Sequence, residues 1–132
     1  MRRIAFVAAV IVGTSALAVA PGQAQAVSEQ AFAARTAGDL ATLCSAPVNR
    51  PRGAAARNFC EGFAQGAIDV GLTDARSEHR PPPFCFPRPA PSRISTLQEF
   101  VTWARADASR LSLPAASALF RFMGERYPCP KP

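Results

Sequence analysis

The sequence predicts an all-α fold, a small disulfide-stapled bundle of about four helices with a proline-rich crossover loop. Three observations predict it. Apolar residues recur at intervals of three and four around Cys60 and through the last third of the chain, where strand-like alternation is absent. Four cysteines, Cys44, Cys60, Cys85 and Cys129, are even in number and fit no zinc spacing. Thirteen prolines gather largely between the helical patterns, above all in Pro81-Pro82-Pro83 and Phe86-Pro87.

The first element is a targeting segment. Arg2 and Arg3 precede the apolar run Ile4 to Val12; Ala16 to Ala20 and Pro21-Gly22 follow, and Ala24-Gln25-Ala26 supplies small residues where a signal peptidase cuts. Residues 1–26 are therefore expected to be a cleaved secretory signal peptide, too interrupted to reach the roughly 20 apolar residues of a membrane span. No cysteine stands near the cut for a lipid anchor. The expected product is residues 27–132, a single exported helical domain with no membrane attachment after cleavage, in a periplasmic and hence disulfide-permissive setting.

Within that product, Ser28-Glu29 opens a short segment anchored by Phe32. Gly38-Asp39 offers a break and a cap for a helix carrying Leu40, Leu43 and Cys44, stopped by Ala46-Pro47. Asn49 to Gly53 reads as a loop. From Ala54 to about Thr73 the spacing predicts the central helix, its buried stripe made of Phe59, Phe63, Gly66, Ala67 and Val70, with Gly71 as an early stopping point. Gly62 and Gly66 each cost a helix roughly 1 kcal/mol relative to alanine. With Phe63 they are expected to be helix-packing positions, where a neighbouring element approaches closely.

Arg76 to Pro91 reads as an extended, partly polyproline connection, with Phe84 and Phe86 on the side opposite Cys85 and one of the two in the core. Ser95 and Gln98 are spaced as a capping box for a helix bearing Leu97, Phe100, Val101, Ala104 and Ala108. Leu113-Pro114 starts the last helix, whose stripe is Ala115, Ala118, Leu119, Phe122 and Met123. Phe120 and Tyr127 fall off that stripe. Together with Ile68 on the polar side of the central helix, they suggest more apolar surface than the bundle consumes, and so a partner or subunit interface.

Sequence alone leaves three ways to pair four cysteines. In an antiparallel hairpin the end of one helix lies near the start of the next, which favours Cys44 with Cys60 and, by the same logic, Cys85 with Cys129.

Little here suggests chemistry. His79 is the sole histidine and sits between Glu78 and Arg80 in the crossover; no Gly-rich phosphate loop and no HExxH motif occurs, and paired cysteines are not nucleophiles. The chain is expected not to be an enzyme and to carry no metal or cofactor. Its formal net charge of +6 becomes +4 without Arg2 and Arg3, and the remaining basic residues are scattered, which argues against nucleic acid as a partner. Arg76, Glu78, His79 and Arg80, displayed on a proline-stiffened arm, are the candidate partner-binding residues, with Ile68 as an apolar addition; stiffness lowers the ordering cost of binding.

The order Asp39-Leu40 leading to Cys44, Cys60-Glu61-Gly62-Phe63 with Gly66 and Asp69, Phe84-Cys85-Phe86-Pro87 and Tyr127-Pro128-Cys129 resembles the Rap/Tai immunity proteins across nearly all of residues 27–132. The resemblance implies a small periplasmic helical protein that binds and inhibits a peptidoglycan amidase delivered by type VI secretion, commonly as a homodimer. Only the cysteines and the glycine-bearing helix carry over, as scaffold positions; Phe63 stands where a tyrosine is common. A different reading is a periplasmic chaperone or stress protein that binds unfolded clients without a dedicated toxin partner. It predicts broad, weak binding in place of one tight complex.

Overall fold

The computed structural model describes residues 27–130, so the predicted signal peptide lies outside the described residues. A 3-10 turn, Glu29–Ala33, leads into five helices: α1 Ala37–Cys44, α2 Gly53–Ser77, α3 Arg93–Arg105, α4 Ala108–Leu111 and α5 Ala115–Arg126. The fold is all-α, with no strand among the described residues; a single bridge, Thr36 to Pro114, clips the starts of α1 and α5 together. No described helix is long and apolar enough to cross a membrane.

The centre is α1, not the longer helix that the sequence nominated. Five of its eight residues, Ala37, Leu40, Ala41, Leu43 and Cys44, are buried, and it touches the 3-10 turn and every other helix. Burying Leu40 and Leu43 completely contributes about 2 kcal/mol each. A helix this short is marginal alone, and its start is secured by a capping box at Thr36, three residues before the cap expected at Asp39: Thr36 Oγ1 accepts from the Asp39 N–H while Asp39 Oδ2 accepts from the Thr36 N–H.

The second helix runs past Gly71 to Ser77, and its buried face is rotated by roughly a quarter turn from the expected one. Ala56, Cys60, Ala64 and Ala75 face the core, and Gly71 receives the ring of Phe120. Phe59 and Val70, expected inside, are 37% and 70% exposed. The physical reason is backbone distance. Small residues let α2 lie close to α1, where Cys44 and Cys60 are joined with Cα atoms 5.2 Å apart, and rings on that face would hold the helices apart.

The third helix begins at Arg93, capped by Ser92 Oγ accepting from Ser95 N–H, so Ser95 lies inside the first turn and is not the cap. It ends at Arg105. Ala108, expected on its stripe, belongs to α4, which Asp107 caps. The proline-rich arm is extended as expected, though Arg76 and Ser77 belong to α2. Phe84 is the core member of its aromatic pair at 2% exposure, with Phe86 5.4 Å away and 39% exposed. Cys85 is bonded to Cys129 beyond α5.

Candidate partner-binding site

The end of α2 is built as a Schellman motif. His79 takes a left-handed φ of 54°, its N–H donates to the Arg76 carbonyl, and the Arg80 N–H donates to the Ala75 carbonyl. This geometry turns the chain sharply and commits Pro81-Pro82-Pro83 to leave the helix in a fixed direction. Five residues on, the Cys85 N–H donates to the Tyr127 carbonyl and the Cys85–Cys129 bridge holds the far end of the arm, with Phe84 sunk between them and Phe120. The tip is thus held on both sides.

Arg76, Glu78, His79 and Arg80 are gathered at this tip and all are exposed. Arg80 forms ion pairs with Asp74 at 2.9 Å and Glu78 at 2.5 Å; the Glu78 hydrogen bond, then its charge, raises the arginine pKa above its ordinary value. The charges are mutually oriented before any partner arrives. Exposed pairs of this kind add little stability, so their consequence is a fixed pattern of two signs on a stiff support. What that pattern offers is hydrogen-bonded recognition of another surface.

Ile68 is elsewhere. It lies eight residues earlier on α2, about 12 Å along the helix from Arg76, packs against the core, and lines a cleft of about 270 Å³ with Phe86, Pro91, Arg93, Leu119 and Met123. Phe120 and Tyr127 are likewise consumed within the fold: Tyr127 is 6% exposed, and Phe120 sits half-buried against Gly71 and Phe84. These three residues therefore do not form the surplus apolar surface read from the sequence. That surface lies on the outer face of α2, where Phe59 stacks on Phe63 and meets the edge of Phe32 at 5.6 Å. Gly62 and Gly66 lie on that outer side too, and a β-carbon at either would meet nothing within 4 Å. Neither glycine packs a neighbour within the protomer, because the face that bears them points outward.

A groove that the sequence did not announce runs between α3 and α5, about 560 Å³ in volume, floored by Trp103 and Phe122. The Trp103 indole N–H donates to Glu125 at 2.7 Å, Arg121 pairs with Glu125, and Arg126 pairs with Glu99 across the helices. The Arg121 hydrogen bond, followed by that of Trp103, holds the Glu125 carboxyl below its ordinary pKa. Trp103 and Glu125 are 22 residues apart, beyond any periodicity within one helix. Among the described residues no group of three or more His, Cys, Asp or Glu side chains is placed to hold a metal ion, and all four cysteines are in disulfides.

No curated protein and no solved structure matches the chain. A family model described as Rap1a immunity proteins matches residues 36–129, from the cap of α1 through the second cysteine of the Cys85–Cys129 bridge.

Proposed function

The chain belongs to the Rap1a immunity protein family, and from that premise we propose that it is the periplasmic antidote to a peptidoglycan amidase delivered by type VI secretion. As an immunity protein it acts on a protein effector. In this reading residues 1–26 direct export and are removed, residues 27–132 form the working domain, and inhibition proceeds by steric occlusion of the amidase cleft, commonly from a homodimer.

The observation that carries the reading is the family match, which takes in α1 to α5 and both disulfides. The tip of α2 supports a place for the contact. A capped helix end and a disulfide-tied proline arm present Arg76, Glu78, His79 and Arg80 with little left to order on binding, and charges of both signs suit a polar cleft.

The test is direct. The amidase-like product of an adjacent gene is purified, its hydrolysis of peptidoglycan is followed with and without this protein, and the affinity is measured by calorimetry. Stoichiometric inhibition is expected. Replacing Arg76, Glu78, His79 and Arg80 together by alanine is expected to weaken binding at least tenfold with the circular dichroism unchanged; unaltered affinity would remove the tip from the contact. A protein that binds no amidase and instead suppresses aggregation of many unfolded clients would be a chaperone.

A further inference from the structure

Beyond Cys85 the proline-rich arm crosses the bundle as a strap, residues 86–91, that ends where Ser92 caps α3. No backbone hydrogen bond ties the strap to a helix, and three of its residues, Pro87, Pro89 and Pro91, have no N–H to offer. Beneath it lies the cleft of about 270 Å³, walled by Ala64 and Ile68 of α2, Leu97 of α3, and Leu119 and Met123 of α5. Small side chains, Ala64 below and Ala90 on the strap, leave that space open.

The three polar residues of the cleft are sorted by depth. Thr96 is 7% exposed, and its hydroxyl donates to the Ser92 carbonyl at 3.1 Å and lies 3.4 Å from the Tyr127 hydroxyl. The interior therefore leaves no polar group in need of a partner. Gln65 donates to Asp69 at 2.8 Å. Arg93, at the mouth with its side chain 55% exposed, is different: its carboxylate neighbour Glu61 is 3.9 Å away, beyond hydrogen-bond length, whereas Arg80 meets Asp74 and Arg121 meets Glu125 at 2.9 Å. Its guanidinium donors are left over.

We propose that the cleft binds a free monocarboxylate with a short apolar chain, the chain lying under the strap and the carboxylate on the Arg93 guanidinium. The space has room for about nine water-sized groups, which suits a chain of about eight carbons. A planar guanidinium with vacant donors takes a carboxylate through two parallel hydrogen bonds. Glu61 beside it, and Asp69 behind Gln65, set negative charge close enough to disfavour a dianion such as a phosphate monoester. The bound chain touches the strap and three helices at once and so supplies the tie that the backbone of residues 86–91 does not make.

The proposal is independent of the immunity reading and of any effector. Its probe is octanoate, titrated into the exported chain of residues 27–132 with both bridges intact and carbon-13 in the isoleucine and methionine methyl groups. That chain has one methionine, Met123, and two isoleucines, Ile68 in the cleft and Ile94, which is 52% exposed and lies outside it. Saturable shifts are expected at Met123 and Ile68 with Ile94 unmoved, together with a rise in melting temperature. Octanol, which carries no charge, is expected to bind about tenfold more weakly than octanoate. Arg93→Gln is expected to lose that preference with its circular dichroism unchanged, and Ala90→Phe to fill the mouth and abolish binding of both compounds. Methyl signals of Met123 and Ile68 that stay in place at millimolar octanoate overturn the proposal. Equal affinities of the wild type for octanoate and octanol also overturn it, as do an undiminished preference in Arg93→Gln and unimpaired binding in Ala90→Phe.

Discussion

The ring of Phe120 lies against the backbone of α2 at Gly71, where a β-carbon would overlap it. Helix α5 reaches α2 through that contact, and Phe84 closes the other side of the ring at 6.3 Å. Gly71→Ala is therefore expected to destabilise the protein by about 1–3 kcal/mol in urea titrations, despite alanine's higher helix propensity. In a Phe120→Ala background the same change is expected to be neutral or stabilising. Additive effects of the two substitutions would show that they do not share this contact.

The two bridges constrain different parts of the molecule. Cys44–Cys60 closes a separation of 16 residues and Cys85–Cys129 one of 44, which the chain-entropy account converts to about 3 and 4 kcal/mol. Cys44 and Cys60 are also in the core, at 5% and 1% exposure. Replacing both by alanine is expected to lower the melting temperature and the cooperativity of unfolding. Replacing Cys85 and Cys129 by alanine is expected to lower the melting temperature and to speed exchange of the backbone amide at position 85, which donates to the Tyr127 carbonyl, while exchange in α1 stays slow. Uniform loosening of both regions in the second variant would show that the arm is not a separable unit.

Glycine is the usual residue at the position His79 occupies, because a side chain with a left-handed φ crowds its own carbonyl. His79→Gly is expected to raise stability by up to about 1 kcal/mol in thermal melts, with the Arg80 to Ala75 hydrogen bond retained. A decrease would mean that the histidine contributes an interaction worth more than its backbone strain.

The helical class was legible because the spacing of Ala115, Ala118, Leu119, Phe122 and Met123 matches the buried set of α5 residue for residue, and that of Leu97, Phe100, Val101 and Ala104 matches the buried set of α3 apart from Thr96, with Ala108 falling in α4. The same reasoning chose the wrong face of α2. It ranked positions by hydrophobicity, whereas the helix that must approach α1 to within a disulfide buries its smallest residues and leaves Phe59 and Val70 outside. Periodicity reports that a face is apolar and says nothing of which neighbour covers it. The tip residues Arg76 to Arg80 were visible as a charged run before three prolines. The Schellman geometry that fixes them was not, since histidine is an uncommon residue in a left-handed cap.

Glu125 sets the acid limit that is easiest to isolate. Arg121 and then Trp103 hydrogen-bond its charged form, so its pKa in the folded protein lies below the ordinary value of 4.5. Asp107 is lowered from 3.8 by the Ser109 hydroxyl and N–H. A group whose pKa is depressed by folding stabilises the native state fully above its unfolded pKa, and that contribution disappears as pH falls through the folded value. The melting temperature is therefore expected to decline as pH drops from about 5 toward 3. Glu125→Gln keeps an oxygen for the indole N–H but cannot titrate, so it is expected to lower stability at neutral pH and to flatten the acid decline. Trp103 emission offers a second readout, since the wild-type spectrum is expected to shift over the same interval as the carboxylate beside the indole is neutralised. An identical acid slope in Glu125→Gln, with an unshifted wild-type spectrum, would assign the acid sensitivity to carboxylates other than this one.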